Sequence, residues 1–263
     1  MNRAFRGLVV PVLTPFAESG EIDRRAFIEH LEYLSHHGIR RIMVNGTTAE
    51  FFSLLPEERR TQLMLARRHF SGLIVAHAGG LGLKQNLEEV RWANELGADA
   101  VAALPPIYPA GLSEAGIIEY FKALGAAAEV PFILYNFPKH AGNALTPRIL
   151  AAVPHAALKD SAQNFELMEH TPSYFVGSST NIFEPIQQGA AGFVAATANV
   201  RPELYAAMEM LLVDAKVGEA AVMQQEIRAY SAQFSTGGVP ALKQAIARKL
   251  PGYPAHVRCP LRP

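Results

Sequence analysis

A single cysteine, Cys259, occurs in 263 residues. That count excludes an internal disulfide and a thiolate zinc cluster. It fits a reducing compartment, and a cytoplasmic location is expected. Charge of either sign is not in excess: 24 Lys and Arg face 24 Asp and Glu, for a net charge of zero. This balance gives no pull toward nucleic acid or an anionic membrane surface. No apolar run reaches the ~18 residues of a membrane span. The run from Leu8 is interrupted by Pro11 and Pro15, and no small-residue cleavage site follows it. A glycine-rich dinucleotide fingerprint is also missing. The nearest cluster, Gly79-Gly80-Leu81-Gly82, has the wrong spacing and follows the third apolar run rather than the first.

Apolar residues are plentiful, at 49% against only 18% charged. A chain of this length and composition buries a large core. Short apolar runs recur at Leu8–Leu13, Ile42–Asn45, Leu73–His77, Ala100–Leu104, Phe132–Asn136, Ala156–Lys159, Tyr174–Gly177 and Gly192–Ala196. Segments with helical spacing separate them, among them Asp23–His36, Pro56–Arg68, Leu87–Leu96 and Ser113–Ala127. Runs apolar on both faces suit parallel strands buried under helices. Eight such units predict an α/β fold, a (β/α)8 TIM barrel, over a doubly wound open sheet. With no linker or low-complexity tract, residues 1–263 are expected to form one domain. Its barrel covers about 1–216 and a C-terminal helical extension covers 217–263, with helices at Pro202–Lys216, Gly218–Phe234 and Pro240–Leu250. The first of these closes the barrel, and the other two pack outside it.

Barrel active sites form where strands end at the C-terminal face. Lys159, one of seven lysines, directly follows Ala156-Ala157-Leu158. An ammonium in a barrel mouth is poorly solvated, so its pKa falls, and the neutral amine can attack a ketone to form a Schiff base. The alternative is a lysine paired with Asp160. Lys139 is a rival nucleophile in a loop. Tyr135, at the end of the preceding strand, offers a phenol for proton transfer, or is simply a buried strand aromatic. Thr47 can bridge Tyr135 to another donor. Gly46-Thr47-Thr48 presents successive N–H groups suited to a carboxylate, or the threonines cap a helix. Glu50 reads as a structural acid.

Taken together, Gly46-Thr47-Thr48, Tyr135-Asn136-x-Pro138 and Lys159-Asp160-Ser161 resemble the dihydrodipicolinate synthase and N-acetylneuraminate lyase superfamily. So do Val12-Leu13-Thr14-Pro15-Phe16, Gly20-x-Ile22-Asp23, Pro106-x-Tyr108, Gly189-Ala190-x-Gly192 and Ala198-Asn199-Val200-x-Pro202. The resemblance runs from about Phe5 to Leu261. It implies a barrel lyase that needs neither metal nor organic cofactor. Lys159 would carry the imine with pyruvate or another 2-keto acid, and a small aldehyde would be the second partner. Tyr135 would be the acid/base, and Thr47 the relay between it and Tyr108. Tyr108 would reach across a tight dimer, within a homodimer or homotetramer. Thr47 and Thr48 would hold the carboxylate, and Gly177 and Val194 would line the pocket.

Several positions depart from that pattern. His140 stands where the synthase has an arginine for the carboxylate of aspartate semialdehyde, and a histidine lacks the bidentate fork. It can take a carboxylate when protonated or a hydroxyl when neutral. The stretch from Val44 to Thr48 and Gly79-Gly80-Leu81 look more like 2-keto-3-deoxygluconate aldolases. Ala49 replaces a frequent glycine, Ile107 a frequent tyrosine, and His77 a frequent glycine at the end of the third strand. Relatives usually continue beyond Leu261 into another helix. A pyruvate-dependent aldolase acting on a 2-keto-3-deoxy sugar acid is therefore expected, with the aldehyde end near His140, His77 and Ser178-Ser179-Thr180-Asn181. Dihydrodipicolinate synthesis is the alternative within the superfamily, and a catalytically silent keto-acid-binding relative is the alternative outside catalysis. A metal-dependent barrel aldolase lacks His and carboxylate pairs at ligand spacing on the strand ends.

Overall fold

The computed structural model describes residues 6–79 and 82–262. Eight parallel strands close into a barrel in sequence order. They are β1 Gly7–Pro11, β2 Arg41–Val44, β3 Leu73–His77, β4 Ala100–Ala103, β5 Phe132–Asn136, β6 Ala157–Asp160, β7 Tyr174–Val176 and β8 Gly192–Val194. The helices are α1 Arg24–His36, α2 Pro56–His69, α3 Leu83–Glu95, α4 Glu114–Ala127, α5 Pro138–Ala141, α6 Pro147–Ala152, α7 Phe183–Gln187, α8 Pro202–Val213, α9 Val217–Ala232 and α10 Gly238–Ala247. The barrel expected from the eight runs is the one observed. No described helix is long and apolar enough to cross a membrane.

Local chemistry sets the element ends. Asp23 caps α1 by accepting the Ala26 N–H at 2.9 Å, and Ser113 caps α4 through the Gly116 N–H at 3.2 Å. Proline opens α2 and α8, where a missing N–H costs nothing. α3 starts at Leu83, earlier than its apolar spacing suggested. The short spacing after β6 and β7 leaves room only for a 3-10 helix, Phe165–His170, and for the five residues of α7.

Strand alternation sorts side chains into two cores. Val9, Met43, Val75, Ile133, Phe175 and Val194 fill the barrel interior with small alanines between them. Leu8, Val10, Ile42, Val44, Leu134 and Leu158 face the helix layer.

The helices after α8 are not merely external cover. α10 sits at the C-terminal rim, where Leu242 and Ile246 pack with Leu13, Val200 and Tyr253. Its Lys243 is fully buried and forms an ion pair with Glu50 at 2.5 Å. The ammonium also donates to the His256 carbonyl at 2.7 Å and lies 4.2 Å from the centre of the Phe16 ring. Glu50 is thus the structural acid expected. It follows the Thr47–Ala49 turn, and its oxygen also accepts the Arg258 N–H at 3.2 Å.

Lys243→Met should destabilise the fold by about 3–5 kcal/mol in urea denaturation, because it leaves a buried carboxylate without its cation. Adding Glu50→Gln should recover part of that loss, and no recovery would mean the pair is not the source.

His30 of α1 is buried, and burial holds its imidazole down to about 4 from an ordinary 6.5. The unfolded chain takes up the proton first as pH falls, so stability drops between pH 6.5 and about 4. The expected slope is at most about 1.4 kcal/mol per pH unit for this one histidine. Denaturation of wild type and His30→Leu at pH 7 and 5 should show a shallower loss in the variant.

Candidate active site

β5 and β6 pair in register so that Tyr135 lies beside Lys159 and Asn136 beside Asp160. Alternation then turns the first pair into the barrel and the second pair outward. Asp160, fully buried on the outer side, accepts from Asn136 Nδ2 at 2.8 Å, Tyr174 OH at 2.7 Å, and the N–H groups of Ala162 and Asn164 at 2.8 and 2.6 Å. With its oxygens engaged there, Asp160 is no ion-pair partner for Lys159. Asn136 in turn accepts the Leu145 N–H at 3.0 Å and anchors the chain after α5.

Lys159 and Tyr135 are both buried, and the lysine Nζ lies 3.3 Å from the centre of the tyrosine ring. Burial lowers the Lys159 pKa, with the Tyr135 phenol partly opposing it. For Tyr135, burial pushes the phenol up. The Lys159 charge and the Thr47 and Ser161 hydroxyls outweigh it, and the pKa falls below its ordinary value. An amine and a phenol in contact, both held below their ordinary pKa values, are suited to proton transfer. Thr47 Oγ1 stands 3.4 Å from Tyr135 OH.

The pair opens on a cavity of about 190 Å³ lined by Thr47, Thr48, Tyr135, Lys159, Gly177 and Val194 among others. Six of the residues singled out in the sequence therefore meet. Ser178 and Ser179 of the loop after β7 also line it. Pro11, Phe137, Ser161 and Ala196 line it without having been assigned a role. Ser161 had a usable signal, since two residues along a strand from Lys159 returns to the same face. Gly177 is needed for close approach. A Cβ there would meet the Ser161 hydroxyl at 2.3 Å and the Asp160 carbonyl at 3.1 Å.

Two expectations need correction. His140 does not line the cavity. It sits exposed on α5, its ring centre 4.2 Å from that of Phe137, which stands between it and the pocket. His77 is not at the aldehyde end either. It is buried behind Tyr135, with ring centres 5.9 Å apart, and its Nδ1 is 2.9 Å from the Asn45 carbonyl. Burial, with the Arg59 and Lys159 charges, holds it near 3, so it is neutral at any working pH. Tyr108 is 85% exposed and is not part of this chain's own cavity. Gly80 and Leu81, in the aldolase-like stretch, lie outside the described residues.

The turn carrying Thr47 and Thr48 is flanked by two left-handed residues, Asn45 at φ 60° and Glu50 at φ 58°. Asparagine tolerates this conformation, whereas glutamate is held there against its preference. Ala49 adopts 3-10 geometry and is fully buried, so the missing glycine does not distort the turn. Ile107 is half-buried against Phe51, Leu104 and Tyr135 and is not among the residues that line the cavity. Among the described residues, no group of three His, Cys, Asp or Glu could hold a metal ion.

Residues 4–263 match the family model described as the dihydrodipicolinate synthetase family. The chain belongs to that family. It is 32% identical to a 4-hydroxy-tetrahydrodipicolinate synthase of Staphylococcus carnosus, over 84% of this chain and 78% of the relative. It is 29% identical to a 2-dehydro-3-deoxy-phosphogluconate/2-dehydro-3-deoxy-6-phosphogalactonate aldolase of Saccharolobus solfataricus, over 82% of this chain and 76% of that one. Among solved structures, a prophage protein of the dihydrodipicolinic acid synthase family from E. coli K12, in complex with pyruvate, superposes with a TM-score of 0.90 at 25% identity. The match covers 98% of this chain and 93% of that one. This family member is an enzyme, a lyase of the aldolase type, and its relatives carry both synthase and aldolase names.

Gly177→Ala should cost about 1–3 kcal/mol by forcing Ser161 and the β6 backbone aside. Gly218→Ala, where a Cβ meets nothing within 4 Å, should leave the urea midpoint within error of wild type. Equal effects would show that the crowding at Gly177 relaxes freely.

Proposed function

We propose that this enzyme cleaves, or forms by condensation, a 2-keto-3-deoxy sugar acid with an uncharged tail, through an imine on Lys159. The observation that carries this reading is the cavity wall. Among the described residues, Lys159 is the one cationic side chain lining it, and the remaining lining is hydroxyl, aromatic and small apolar. A second carboxylate or a phosphate on the aldehyde would meet no partner there, and burying an unpaired charge is costly. Polyhydroxyl chains are served by Ser161, Ser178 and Ser179. The position of His140 outside the cavity counts in the same direction, against aspartate semialdehyde.

The chemistry follows from the buried pair. Neutral Lys159 attacks the C2 ketone, and loss of water leaves an iminium. Thr47 and Thr48 hold the adjacent carboxylate with their hydroxyls and the N–H groups of their turn. Tyr135, as phenolate, takes the proton of the C4 hydroxyl, with Thr47 as relay. The C3–C4 bond then breaks, its electron pair moves into the iminium as an enamine, and the aldehyde leaves. Protonation at C3 and hydrolysis release pyruvate and regenerate the amine. No metal or organic cofactor enters these steps. Tyr108, exposed on the loop after β4, would complete the relay of a neighbouring subunit in a dimer or tetramer.

Borohydride reduction with pyruvate should leave a stable adduct on Lys159, located by peptide mass mapping and missing in Lys159→Ala. 2-Keto-3-deoxygluconate should turn over faster than its 6-phosphate. An adduct on Lys139, or preference for the phosphorylated compound, would overturn the assignment.

A further inference from the structure

α9 lies outside the eight β/α units, yet it holds one wall of the cavity. Gln224, in the middle of this helix, is 2% exposed. Its Oε1 accepts the N–H groups of Ile182 and Phe183, each at 2.8 Å, and its Nε2 donates to the Thr180 carbonyl at 2.9 Å. One side chain thus satisfies three backbone groups of a loop 41 to 44 residues away. Two turns further along, Ser231 donates to the Ser179 carbonyl at 3.1 Å and meets Tyr205 OH at 2.8 Å. Arg228 adds a bond to the Thr180 carbonyl at 3.2 Å.

The loop so gripped begins with Ser178 and Ser179, which line the cavity. Ser178 is itself committed inside the loop, where its hydroxyl accepts the N–H groups of Thr180 and Asn181 at 3.1 and 3.0 Å. The shape of this wall therefore depends on where the loop backbone is held. Among the described residues, Gln224 hydrogen-bonds only to the loop after β7, and not to Lys159, Thr47 or Thr48 on the other side of the cavity.

We infer that Gln224, supported by Ser231, is a positioning residue for the tail of the substrate: it fixes the Ser178–Ser179 wall from outside the barrel and leaves the keto-acid end untouched. This rests on the reading of the cavity as a keto-acid aldolase site. A short neutral hydrogen bond contributes about 1 kcal/mol, and three act together here, so loss of at least about tenfold in tail binding is expected.

The test compares wild type, Gln224→Met, Ser231→Ala and the exposed control Val222→Ala on the same helix. In Gln224→Met, hydrogen exchange in the ligand-free protein should quicken by about tenfold or more at Ile182 and Phe183, and stay unchanged elsewhere. With 2-keto-3-deoxygluconate, KM should rise about tenfold while kcat changes less than about twofold. Borohydride trapping of pyruvate should keep its wild-type concentration dependence. Ser231→Ala should move the same readouts less, and Val222→Ala should move none. Unchanged exchange at the two amides overturns the inference, as does faster exchange with an unaltered KM. A parallel fall in kcat, pyruvate trapping and melting temperature would reduce Gln224 to a structural residue and overturn it too. Wild type that traps no pyruvate defeats the aldolase reading instead, and the exchange result then judges the loop contact by itself.

Discussion

A buried amine with no ion-pair partner among the described residues is the constraint around which this molecule is arranged. Lys159 is poorly solvated, and the acid beside it in sequence faces the opposite way, tied to Asn136, Tyr174 and two backbone N–H groups. The nearest stabilisation comes from Tyr135, whose ring centre is 3.3 Å away, with a smaller share from the charge of Asp160. A cation over an aromatic ring is held more weakly than one in an ion pair. That leaves the amine free to lose its proton, and the same contact steadies the phenolate. The tightness of the barrel and the reactivity of the lysine have one cause.

The rim around this pair is held largely by the end of the chain. On one side, Lys243 and the backbone of Arg258 grip Glu50, whose left-handed backbone closes the turn bearing Thr47 and Thr48. On the other, α9 bonds the loop after β7. Two walls of the cavity thus depend on residues far from them in sequence, and the barrel strands supply only the floor and the reactive pair.

The fold was legible because parallel strands buried on both faces leave unbroken apolar runs. Leu73–His77 and Phe132–Asn136 are strands over those same residues. That Lys159, Tyr135, Thr47 and Thr48 line one cavity was legible because barrel chemistry gathers at strand ends, and these residues end or closely follow their runs. His77 and His140 were misplaced for a related reason. Sequence position puts both near the mouth, but it does not say that the His77 ring turns beneath Tyr135, or that Phe137 screens His140 from the cavity. The helices after α8 looked like plain cover because nothing local marks Gln224 or Lys243 as reaching inward. Their partners lie in loops whose course only the assembled barrel defines.

Closure of the sheet has a consequence for how faithfully this site is built. If β6 slid by one residue against β5, Asp160 would point into the barrel and Lys159 into the helix layer, placing one charge among the inner side chains and the other among leucines. In an open sheet such a slip need involve only one neighbour. Here every strand is bonded on both sides, so one misplaced strand strains the ring at both its seams. The circular topology acts as an error check on assembly, and a folded barrel is one in which Lys159 already faces Tyr135.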